Sequence, residues 1–160
     1  MTDYYDPVNN VVRLSDTVHD VSSVAAVGVA AHEVGHAIQH AKEYFPIRVR
    51  MAIIPITRIG SMLAMPLFLL GLFLASDAFL LIGIALYSAV TFFQLVTLPV
   101  EFNASGRALN TLSNENMMYQ EELDGARNVL TAAAMTYVAA LATSLLTLLR
   151  LLVLANGRRR

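Results

Sequence analysis

The 160-residue chain has no cysteine, and only 14% of its residues are charged, against about 25% in an ordinary soluble domain. Without cysteine there are no disulfides, no thiolate zinc sites and no thiol catalysis, so any metal must be held by His, Asp or Glu. The formal net charge of −1 is too small to argue for nucleic acid, and no basic stripe interleaved with aromatics is present. Residues 1–10 lack the basic and apolar regions of a secretory signal, so this stretch is expected to persist in the folded protein.

The missing charge is absent in blocks. From Met51 to Val100 the only charged residues are Arg58 and Asp77, and from Val129 to Ala155 the only one is Arg150. Ile59 to Ser76, Ala78 to Val100 and Asn128 to Leu149 are uncharged runs, each long enough to cross a ~30 Å hydrocarbon core at ~1.5 Å per residue. A purely soluble globular domain is therefore not the leading expectation. Pro55, Pro66 and Pro99 would break a soluble helix but are tolerated where neighbours satisfy the freed carbonyls.

At the start, Asp-Pro and Asn-Asn turn signals separate Tyr4–Tyr5 from Val11–Leu14, which suggests a small β-hairpin. Asp20, Ser22 and Ser23 are N-cap candidates for a helix that runs through VAAVGVAAHEVGHAIQHAKEY and stops before Pro46. The expected fold is mainly α: an integral membrane helical protein forming one domain over 1–160. Within it, 1–50 holds the hairpin and the HEVGH helix, 51–100 a transmembrane hairpin, 101–128 a polar surface segment with one or two short helices, and 129–155 a third membrane helix.

The chemistry lies in His32-Glu33-Val34-Gly35-His36. A chain of this composition contains such an HExxH string by chance about once in 300. On a helix, His32 and His36 lie one turn apart on the same face and can present two imidazoles to one Zn²⁺. Glu33 beside them is placed to act as general base toward a metal-activated water. His40 continues the face but lies about 12 Å from His32 along the axis, too far to share the ion. A catalytic zinc needs a third protein ligand and one open position, and Glu101 is the candidate. It follows the second apolar run directly, and two crossings return the chain to the face it left.

In these residues the chain resembles the YugP-type neutral zinc metallopeptidases, a membrane peptidase family. HEVGH, the hydrophobic hairpin and PVEFNAS carry the resemblance, which extends along nearly the whole chain from DYYDP onward. More distantly, the order resembles HtpX-type membrane peptidases. The resemblance implies that His32, His36 and Glu101 bind zinc, that Glu33 is the general base, and that protein or peptide substrates are cleaved. HtpX-like enzymes carry an Asp four residues after the ligand Glu where this chain has Ser105, so Asn103 or Ser105 is expected to partner a ligand histidine. Oxyanion donors remain open among Tyr137, Tyr119, Arg107 and Arg127. Two other readings stand beside this one: a site-2-type protease with HExxH inside the bilayer, and a non-enzymatic zinc-binding membrane scaffold. The expected location is the cell membrane, multi-pass, with the zinc side cytoplasmic, because Arg48, Arg50, Arg58, Arg107 and Arg127 flank the hairpin on one side and Asp77 marks its far turn.

Overall fold

The computed structural model describes residues 3–158. Two short antiparallel strands, β1 (Tyr4–Asp6) and β2 (Val11–Arg13), precede four helices, α1 (Val24–Ala41), α2 (Phe45–Phe73), α3 (Asp77–Asn114) and α4 (Gln120–Arg158). The strands pair Tyr4 with Arg13, Tyr5 with Val12 and Asp6 with Val11. Their turn is organised by the Asp6 carboxylate, which accepts the amides of Val8 and Asn9 and the Asn9 side chain, the usual role of Asp at a turn. Ser15 donates its amide and hydroxyl to Asp3 and closes the base of the hairpin.

Helix α1 starts where expected. Ser23 is its N-cap, and the Ser23 hydroxyl accepts the Ala26 amide, satisfying one of the orphan donors of the first turn. The helix ends at Ala41 with Lys42 as C-cap. Pro46 then falls in the first turn of α2, where no amide donor is needed.

Three helices are long and apolar enough to cross a membrane, namely α2, α3 and Gln120–Gly157 of α4, with mean hydropathies of 1.8, 2.1 and 2.2 in their most apolar windows. Little of those windows is buried within the protein, so the apolar side chains face outward, as a lipid solvent allows and water does not. The three prolines lie inside α2 and α3 without ending either helix.

Residues 101–128 differ from the expected surface stretch of short helices. Helix α3 runs on unbroken through Glu101 to Asn114, and α4 begins at Gln120. Backbone hydrogen bonding is indifferent to the return of polar side chains, and a buried stripe at four-residue spacing, Val100, Ala104, Ala108 and Leu112, holds this half of α3 against its neighbours. The basic tail Arg158–Arg160 lies outside the residues whose side chains are described.

The chain divides into two compact units. The first comprises Met1–Arg48 and Leu98–Thr136, and its core is Ala31, Ala108, Leu112, Leu123, Ala126 and Leu130. The second comprises Val49–Thr97 and Tyr137–Arg160. Phe68, Leu80 and Leu151 form its core, and a buried hydrogen bond joins the Thr91 and Ser144 hydroxyls at 2.8 Å.

Candidate metal centre

The site belongs to the first unit and is built where α1 lies against the polar half of α3. The approach is close because Gly35 has no side chain: a Cβ there would fall 2.4 Å from the Ala104 carbonyl oxygen. One turn to either side of that contact, α1 presents His32 and Gln39 to α3. Glu101 is 2% exposed, and the two imidazoles are partly buried, with 16% and 13% of their side-chain surface exposed.

His32 Nε2 lies 3.2 Å and His36 Nε2 3.8 Å from Glu101 Oε2, and one donor atom from each residue falls within 4.8 Å of the others. Donors of a tetrahedral zinc with ~2.0–2.1 Å bonds stand about 3.4 Å apart, a spacing that the two histidine–glutamate distances bracket. Two imidazole nitrogens and a carboxylate oxygen are also a donor set that zinc accepts. The histidine rings stand edge to face, with centroids 4.7 Å apart.

Each imidazole has its other nitrogen engaged. His32 Nδ1 is 3.1 Å from Ser105 Oγ, and His36 Nδ1 is 3.0 Å from Gln39 Oε1. Of the two α3 residues expected to partner a ligand histidine, Ser105 is in contact with one. Asn103 instead accepts from Gln39 Nε2 at 3.1 Å and from Arg107 Nε at 2.7 Å. Gln39 is fully buried and was not singled out in the sequence. Its spacing of three residues from His36 is the one signal it offers, since i and i+3 share a helix face. His40 stands apart from the donor cluster, with its ring 5.3 Å from that of Tyr5.

Glu33 is half-buried and directed toward the hairpin, where its Oε2 accepts the Tyr5 amide at 2.9 Å. Burial pushes its carboxyl above the ordinary range, while the neighbouring His32 and the Tyr5 amide pull it back. Tyr119 and Arg127 are exposed, and Arg107 lies over the Tyr44 ring at 5.9 Å.

The family model described as "Putative neutral zinc metallopeptidase" matches residues 1–156. The chain is 48% identical over 159 residues to the "Putative membrane protease YugP" of Bacillus subtilis (strain 168), covering 99% of this chain and 71% of that protein. No solved structure matches. With a donor set suited to zinc and a family match along almost its entire length, the chain belongs to the neutral zinc metallopeptidase family.

Proposed function

We propose that the protein is a zinc-dependent, membrane-bound endopeptidase that hydrolyses peptide bonds of protein or peptide substrates at the membrane surface. Its zinc would be held by His32, His36 and Glu101. The observation that carries this reading is the convergence of these three side chains from two helices onto one point, beside a carboxylate already oriented by a backbone amide.

Zinc, when bound, supplies Lewis acidity toward a carbonyl oxygen and toward water. The work of the chain itself falls on Glu33. Its carboxylate accepts a proton from the water that attacks the scissile carbonyl carbon and returns that proton to the departing amine nitrogen as the C–N bond breaks. The Tyr5 amide fixes one carboxylate oxygen and so restricts the rotation of the other. Fixing a base in its working geometry lowers the entropic part of the barrier. Helix α1 is not among the helices apolar enough to cross a membrane, which favours a site at the surface over the site-2-type alternative.

Glu33→Gln keeps the side-chain shape and cannot accept the proton. We expect zinc content and folding to be retained while hydrolysis of a generic peptide substrate falls by roughly 10²-fold or more. Wild-type turnover in this variant would overturn the role of Glu33 as general base, and a wild-type chain that binds zinc without hydrolysing peptide would overturn the enzymatic assignment. In that second case the metal-binding scaffold would be the better reading.

A further inference from the structure

We propose that Gln39 is the positioning residue of the metal centre, locking His36 in the tautomer that offers Nε2 to the ion. This inference rests on the zinc reading above, and it deepens it.

The lock follows from atoms that can play only one part. The Val100 carbonyl oxygen can only accept, and the Gln39 amide lies 2.7 Å from it; the facing atom is therefore Nε2, the donor. Asn103 Oδ1 accepts the second Nε2 hydrogen at 3.1 Å. With both donors spent on that side, Oε1 faces His36 Nδ1 at 3.0 Å. Oε1 can only accept, so Nδ1 carries the proton and Nε2 keeps its lone pair. Nε2 is the nitrogen that faces Glu101.

The orientation of Asn103 is settled in the same way. Arg107 Nε can only donate, and it lies 2.7 Å from Asn103 Oδ1. The Arg107 guanidinium lies over the Tyr44 ring, which holds it in place. A backbone carbonyl and a guanidinium, neither able to reverse its polarity, thus impose the protonation pattern of a ligand through one fully buried amide. At His32 the corresponding partner is the Ser105 hydroxyl, which can donate or accept and imposes nothing. The two histidines are therefore unequal at Nδ1: His36 faces an oxygen that can only accept, and His32 faces a hydroxyl that can do either.

The test is zinc affinity of the full chain in detergent, measured by competition with a chromophoric chelator. The variants are Gln39→Met, which keeps length and removes all three hydrogen bonds, Asn103→Leu, and Thr91→Val as a buried-polar control in the other unit. We expect Gln39→Met to weaken zinc binding about 10- to 100-fold, the range for partners of ligand histidines. Gln39→Glu, whose neutral acid can still donate to the Val100 carbonyl and accept from His36 Nδ1, should recover most of that loss, and no recovery would overturn the lock. Asn103→Leu should weaken it by a smaller factor, because the Val100 carbonyl still holds the amide, and Thr91→Val should leave it unchanged. Wild-type affinity in Gln39→Met would overturn the proposal, as would an equal loss in Thr91→Val. If Gln39→Met does not fold, Asn103→Leu decides: unchanged affinity overturns the lock. A wild-type chain that takes up no zinc would overturn the zinc reading itself, whereas normal uptake by both wild type and Gln39→Met overturns the lock alone.

Discussion

A carboxylate that is 2% exposed and flanked by two imidazoles, as Glu101 is, costs free energy unless its charge is compensated. Metal ligation would provide that compensation, and the other acidic residues of the region have no comparable setting. Glu115 and Glu121 are exposed, and Glu122 accepts the Tyr119 amide at the start of α4, a capping role that a glutamine oxygen can also fill. Glu101→Gln is therefore expected to lower zinc affinity by more than the ~10–100-fold typical of an outer-sphere partner, with activity lost in parallel. The same change at positions 115, 121 and 122 should leave both within about twofold of wild type. Zinc titration across the four variants checks this, and equal losses at all four would remove Glu101 from the ligand set.

Among the helices, the contact that decides the geometry is Gly35 against Ala104. A methyl group at position 35 would meet backbone atoms, the Ala104 oxygen at 2.4 Å and its carbonyl carbon at 3.0 Å, so α1 must move off α3. Gly35→Ala should destabilise by ~1–3 kcal/mol, as overpacking does, and weaken zinc binding because His36 and Glu101 separate. Gly106, on the same helix α3, has nothing within 4 Å of its would-be Cβ. Gly106→Ala should raise stability by up to ~1 kcal/mol through helix propensity alone. Thermal unfolding of the two variants gives the comparison, and a Gly35→Ala protein as stable as wild type would refute the tight contact.

These elements were unequally visible in the sequence. Charge-free runs mark apolar cores of helices, and HEVGH marks two histidines on one helical face by its period, so α1 and the three apolar helices could be anticipated. Helix ends were less visible. Polar residues after Glu101 obscured the continuation of α3, although the Ala104, Ala108 and Leu112 stripe carried the helical period through them. Gln39 was hidden for a different reason. A lone glutamine has no motif, and its importance comes from Val100 and Asn103, more than 60 residues away. Nor do the turns announce themselves by glycine. Among the described residues, the positive-φ positions are Asn10, Asp20, Glu43, Ala75 and Asn116; the close approaches at Gly35, Gly60, Gly71 and Gly83 instead fall within helices, where an absent Cβ admits a neighbouring backbone.

For the whole molecule, the open matter is which side of the membrane carries the site. We propose the cytoplasmic side, because Arg48, Arg50 and Arg58 precede the first uncharged run, Arg107 and Arg127 follow the second, and the turn between the two runs holds Asp77, in keeping with the positive-inside bias. The chain has no cysteine of its own, so Ser76→Cys and Asn114→Cys can each be labelled without background. A membrane-impermeant maleimide added to intact cells should react at position 76 and not at 114. Reaction at 114 alone would invert the orientation.

The donor set is also ordered in time. His32 and His36 lie on α1, and Glu101 follows only after α2 and the apolar half of α3 have been made. At ~5–20 residues per second, the 65 positions from His36 to Glu101 take roughly 3 to 13 seconds to synthesise. Throughout that interval a nascent chain holds Glu33 and the two imidazoles but not the Glu101 carboxylate, and the segments being made are the apolar ones suited to a bilayer. On the ligand set proposed above, the metal site cannot be complete before α2 and the apolar half of α3 have been made, whereas α4 is still to come when Glu101 is added.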